Sequence, residues 1–163
     1  MLPHLDAAHN LARWLTGNEA NAQDAVQEAY LRAFRFFDGY QGGDERAWLL
    51  AIVRNACRNW ANERQRAAGS VPFDEATHTS EDSSATQEEL IMRREKTGVL
   101  RRCIEMLPAD FREVLIMREL EEMSYREIAA ATGQAIGTVM SRLSRARKRL
   151  GDCAARRRTG TAG

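Results

Sequence analysis

The stretch Ser124-Tyr125-Arg126-Glu127, closed six residues later by Gly133, constrains the fold of this chain more than any other feature. Ser124 can accept from the backbone N–H of Glu127, and Glu127 can reach back to the N–H of Ser124, which is a capping box. Gly133 fits the C-terminal cap of the helix so begun. Another helix starts around Gly137-Thr138 and runs to about Leu150. A short capped helix, a turn with glycine and a second helix make a helix-turn-helix pattern. In the second helix Val139, Leu143, Ala146 and Leu150 share one apolar stripe. Met140, Ser141, Arg142, Ser144, Arg145 and Lys148 lie opposite. Arginine can pair bidentately with guanine, and serine can bond a base edge or a phosphate. The plainer alternative is a surface helix with a solvated arginine face. The capping box, the glycine turn and the local charge favour DNA over it.

The remainder is also patterned for helix. There are 25 Ala and 14 Leu against 6 Val and 6 Ile, and Ala and Leu favour helix where β-branched residues favour strand. Apolar spacing predicts a helix over 5–15. A second over 19–37 has the stripe Ala22, Ala25, Val26, Ala29, Ala33, Phe36 and Phe37. A third over 45–65 has Trp48, Leu49, Ile52, Val53, Ala56 and Trp60 inward or partly inward. Helix resumes near Thr86 and runs to Met106, with Leu90, Val99, Leu100, Cys103, Ile104 and Leu107 as its core side. Pro108 separates it from a helix over 109–120 with Phe111, Val114, Leu115 and Met117 apolar. The fold class is therefore all-α.

Charge is informative once divided. Residues 1–66 hold eight acidic and eight basic side chains, 67–96 seven and three, and 97–163 eight and thirteen. A total of +1 conceals an acidic connector and a basic C-terminal module. It argues against an indiscriminate polyanion binder. The N-terminus lacks a basic stretch followed by an apolar one, so no secretory signal is expected. No 18-residue apolar run exists, so no membrane insertion is expected. Cys57, Cys103 and Cys153 are far apart, odd in number and without a Cys-x-x-Cys. They are expected to be reduced thiols, with neither a disulfide nor a zinc site. No nucleophile–base pair, metal cluster or phosphate-binding glycine loop stands out, so neither enzymatic activity nor a cofactor is expected.

Two blocks of the chain resemble one family. Leu107-Pro108-Ala109-Asp110-Phe111-Arg112-Glu113-Val114-Leu115, Arg118 to Ala129, and Gly137 to Leu143 are similar to region 4 of the bacterial extracytoplasmic-function RNA polymerase sigma factors, within the sigma-70 family. Asp24 to Arg35 resembles their region 2.2, and Ala47 to Ala56 their regions 2.3 and 2.4. The resemblance implies a cytoplasmic protein that binds core RNA polymerase. It would direct the enzyme to promoter DNA, help open the strands for transcription initiation and answer to an anti-sigma factor. The alternative is a stand-alone helix-turn-helix transcriptional regulator. A helical adaptor that binds only protein is a third reading, against which the Arg145 face argues.

The resemblance assigns roles to residues that can be read physically beside it. Asp24, Gln27, Glu28, Leu31 and Arg32 form a mixed face opposite the alanine stripe, implied to dock on the clamp coiled coil of the largest polymerase subunit. Arg54, Asn55, Arg58, Asn59 and Trp60 are implied to meet −10 DNA. There arginine neutralises phosphate, asparagine reads a base edge, and planar groups stack on unpaired bases. The 38–45 loop is implied to help hold a base flipped from the −10 strand, whereas Trp48 is read as core. Ser124, Tyr125, Thr138, Met140, Ser141, Arg142, Arg145 and Lys148 are implied to meet the −35 duplex. Two departures from the family's pattern stand out: few residues precede Leu5, and Met140 stands where many members carry a basic residue. Methionine there can touch a thymine methyl or cover sugar.

The expected organisation is a region 2 module over 1–66, a flexible acidic linker over 67–86, a region 4 module over 87–152 and a disordered basic tail over 153–163. A coil of that linker's length spans about 22–27 Å on average and up to ~70 Å extended, enough for the modules to move independently. The acidity of Asp74, Glu75, Glu81 and Asp82 suits a basic nucleic-acid channel in polymerase.

Overall fold

The computed structural model describes residues 2–40, 42–68 and 87–161. Residues 69–86 of the expected linker and the last two tail residues lie outside them, whereas 67 and 68 end a helix. Seven α-helices follow a short 3-10 turn at Leu2–His4, a second such turn lies at Phe37–Gly39, and no strand occurs among the described residues.

Helices α1 (Leu5–Thr16), α2 (Glu19–Arg35) and α3 (Glu45–Ala68) form the first module. Gly17, at φ 80°, ends α1 by donating its N–H to the Arg13 carbonyl. Asn18 then caps α2, its Oδ1 accepting from the Asn21 N–H at 2.9 Å. Ala22, Ala25, Ala29 and Ala33 are fully buried, as the spacing predicts. Their small side chains let α2 lie close against Leu11 of α1 and Leu49, Leu50 and Val53 of α3. Phe36 and Phe37 depart from expectation: they are 60% and 47% exposed, because α2 ends at Arg35 and the stripe ends with it.

Helices α4 (Gln87–Glu105), α5 (Ala109–Glu119), α6 (Tyr125–Thr132) and α7 (Ile136–Thr161) form the second module. Its core gathers Ile104, Leu107, Val114, Leu115, Met117, Ile128, Val139, Leu143 and Ala146. Leu100, expected inside, is 45% exposed. The capping box forms: the Glu127 N–H reaches Ser124 Oγ at 3.1 Å, and the Ser124 N–H reaches Glu127 Oε1 at 2.7 Å. Gly133 takes φ 70° and closes α6. Ser124→Ala is expected to lower stability by about 1 kcal/mol, measured by denaturant unfolding of the full chain.

Two expectations are corrected here. The helix expected to stop near Leu150 continues as α7 to Thr161, through most of the 153–163 stretch expected to be a disordered tail. Its extension packs along α4 and brings Cys153 to Cys103, with Cα atoms 5.8 Å apart, where the two are disulfide-bonded. Separation by 50 residues and the expected reducing context had argued against a bridge, but helix packing overrides separation along the chain. On a chain-entropy account, a ring of that size removes roughly 4 kcal/mol of freedom from the unfolded state. Cys57 is free and buried.

The modules are docked rather than apart. α3 packs on α6 and α1 on α5, joining the two cores into one cluster. Within this contact the turn after α5 bends back, with Glu122 at φ 54°. It presents Glu121, only 3% exposed, to the first module. Glu121 accepts from Asn10 Nδ2 at 2.7 Å and pairs with Arg46 at 2.6 Å.

Candidate nucleic-acid interface

The first expected surface lies on α2. Asp24, Gln27 and Leu31 are exposed, while Glu28 and Arg32 are half-buried and pair with each other at 2.6 Å. Sequence reasoning missed its apolar part. Phe34 is 67% exposed beside Leu31 at 62%, and Phe36 and Phe37 extend the patch. A phenylalanine three residues after Leu31 and off the alanine stripe was the available signal, since i and i+3 share a helix face. Exposed aromatic rings flanked by charged groups are a composition suited to a protein partner.

The second surface lies on α3 and the turn before it. Asp44 Oδ1 accepts from the N–H groups of Arg46 and Ala47, which sets the start of α3. Trp48 is half-buried, packed edge-on to Phe37 at 6.4 Å and tilted against Tyr40 at 5.1 Å. Tyr40 donates its hydroxyl to the Gly43 carbonyl at 2.6 Å, which ties the loop together. Arg32, Phe36, Gly39, Trp48, Ile52 and Asn55 line a cavity of about 270 Å³. Trp48 is thus partly core, as expected, and partly a wall of this cavity.

The expected −10 residues divide. Asn55 and Asn59 are exposed, and Trp60 is half-buried. Arg54 and Arg58 turn toward the second module instead. Arg54 meets Glu113 with Nε and Nη2, each at 2.9 Å, and donates Nη1 to Asn55 Oδ1 at 3.0 Å. Arg58 reaches the same carboxylate at 2.9 Å and also pairs with Asp110. The Glu113 side chain is 1% exposed and that of Arg54 13%. Burying a carboxylate this deeply is costly unless such partners surround it. The Arg58 hydrogen bond holds the Asp110 carboxyl below the usual carboxylate range, against its partial burial.

The third surface is the exposed side of α7. Val139, Leu143 and Ala146 are buried, which turns Met140, Ser141, Arg145 and Lys148 outward. Thr138 and Arg142 are half-buried, with Arg142 3.9 Å from Asp110. Tyr125 is also half-buried, its ring under the Arg118 guanidinium at 4.9 Å. Arg147 is held by Glu119 at 2.7 Å and so is withdrawn from the cationic face. Ser124 Oγ accepts within the capping box, which leaves its proton for a phosphate or base acceptor.

Among the described residues no group of three or more His, Cys, Asp or Glu is placed to hold a metal, and no helix is long and apolar enough to cross a membrane.

Comparison with known proteins supplies the context. The profile "Sigma-70 region 2" matches residues 2–67 and "Sigma-70, region 4" residues 97–150. The chain is 34% identical over 161 residues to the ECF RNA polymerase sigma factor SigE of Mycolicibacterium smegmatis, covering 98% of this chain and 62% of that one. It thus spans under two thirds of that relative's length. It is also 34% identical over 134 residues to the ECF RNA polymerase sigma-E factor of Escherichia coli, covering 78% and 70%. Among solved structures, the sigma factor RpoE from Bartonella quintana, determined with the anti-sigma factor NepR, superposes with a TM-score of 0.77 at 30% identity, covering 93% and 92%. CnrH, determined with the cytosolic domain of CnrY, shares the fold with a TM-score of 0.63 at 23% identity.

Proposed function

This chain belongs to the extracytoplasmic-function RNA polymerase sigma factors, and we propose that it binds core polymerase and directs it to promoters through two readers on separate modules. The observation that carries this reading is the open side of α7. Arg145, Lys148, Ser141 and Met140 are exposed opposite a fully buried stripe, on the module that holds the excess positive charge. A bidentate arginine–guanine pair at this face contributes about 1–3 kcal/mol of base discrimination.

In this reading, Asp24, Gln27 and Leu31 of α2, with Phe34 and its neighbours, dock on polymerase. Asn55, Asn59 and Trp60 meet the opened −10 strand, joined by Arg54 and Arg58 once these leave Glu113. The cavity beside Trp48 takes an unstacked base, and base–aromatic stacking is worth roughly 1–3 kcal/mol. The protein acts in the cytoplasm, where the polymerase is. It supplies recognition and no covalent chemistry, and an anti-sigma factor holds it inactive. A stand-alone regulator is not favoured, because the first module matches region 2.

Asp24→Ala combined with Gln27→Ala is expected to weaken capture by core polymerase about tenfold or more while leaving stability unchanged, since both side chains are exposed. A pull-down with tagged core enzyme measures it. Unchanged capture would remove the α2 face from the account.

A further inference from the structure

We propose that Cys103 and Cys153 form a reversible redox lock that sets the stability of the −35-reading module. The bridge joins α4 to the extension of α7, and the 50-residue segment between its cysteines holds α5, α6 and the exposed cationic stretch of α7. Closing this one bond therefore restrains the whole helix-turn-helix. Opening it leaves the end of α7 to be held by noncovalent contacts alone, such as the Arg157 contact to Met106 Sδ at 3.2 Å.

The surroundings suit a thiol pair that reacts. Cys103 is 1% exposed, whereas Cys153 is half-buried and reachable. Arg149, Arg156 and Arg157 lie at i−4, i+3 and i+4 from Cys153 and are engaged by the Phe111 ring, the Asp152 carbonyl and Met106 Sδ in turn. The thiolate is the form that attacks a disulfide. Cys57 does not compete. It is 2% exposed, and burial pushes its thiol up to about 12.

The step balances with a low-molecular-weight disulfide as oxidant. The Cys153 thiolate attacks one sulfur of that disulfide, forming a mixed disulfide and releasing one thiol. The Cys103 sulfur then attacks the sulfur of Cys153, closes the protein bridge and releases the second thiol. Two electrons and two protons pass from the cysteine pair to the oxidant. That the bond is conditional rests on the proposed function, which places the chain beside polymerase in a compartment where thiols are ordinarily kept reduced.

The test uses the full chain, oxidised with glutathione disulfide or reduced with dithiothreitol. Peptide mapping after alkylation is expected to find Cys103 joined to Cys153 in the first sample and both alkylated in the second. The unfolding midpoint is expected to fall by roughly 10 °C on reduction. Between the two midpoints, holoenzyme made with the oxidised chain should keep −35-dependent transcription that the reduced chain loses. Cys103→Ser should behave as reduced protein under both conditions; if that variant does not fold, reduced wild type is the comparison. Free Cys103 and Cys153 after oxidation, or equal midpoints in the two states, overturns the proposal. Absence of transcripts from both forms at low temperature counts against the sigma reading instead and leaves the mapping and midpoint results standing for the lock.

Discussion

Glu113→Ala is expected to destabilise the closed arrangement by about 3–5 kcal/mol and to free the −10 face. Glu113 is a buried acid that accepts four hydrogen bonds from two arginines on the other module. Removing it leaves the Arg54 guanidinium, only 13% exposed, with its Nη1 bond to Asn55 Oδ1 but no carboxylate against Nε and Nη2. Arg58, at 37%, can turn to water and recovers part of the loss. The modules should separate, so the radius of gyration from small-angle scattering should rise, and single-stranded −10 DNA should bind more tightly as both arginines are released. Glu113→Gln keeps the shape and some hydrogen bonds, and should lie between. Unchanged scattering and unfolding in Glu113→Ala would show that the contact contributes little to closure.

Leu143→Ala and Arg145→Ala, two positions apart on α7, should fail in opposite ways. Leu143 is 1% exposed among Val139, Ile128 and Ala146, so truncation leaves a cavity and costs about 2–5 kcal/mol of stability. Arg145 is exposed, so its loss should move stability by no more than about 0.5 kcal/mol. It should instead cost about 1–3 kcal/mol of −35 binding and relax the base preference at one position. Denaturant unfolding and competition binding with −35 duplex variants separate the two effects. Equal loss of stability in both would mean that the Arg145 side chain packs rather than reads.

Local features were legible in the sequence because their partners lie within a turn. Ser124 and Glu127 are three residues apart, and the alanine stripe of α2 repeats at helical spacing, so capping box and buried face both form as expected. What was missed depends on residues far apart. Glu113 and Arg54 are separated by 59 positions, and nothing near either one indicates that they meet. The same holds for Cys103 and Cys153, whose approach needs α7 to run past Leu150. Phe36 and Phe37 fit the apolar period but follow the end of α2, where the period no longer defines a face. Among the expected site residues, Met140, Ser141, Arg145 and Lys148 stand where helix periodicity puts them. Arg54 and Arg58 lie on the expected helix but point to a carboxylate that the pattern of α3 alone could not reveal.

The central claim, recognition of promoters in partnership with polymerase, is tested most directly by reconstituted transcription. The full chain would be mixed with core polymerase on a template carrying matched −35 and −10 elements, beside a duplex gel shift without core. Discrete transcripts that require both core and chain are expected, with little or no shift by the chain alone. A strong duplex shift without core, together with no core-dependent transcript, would contradict the claim.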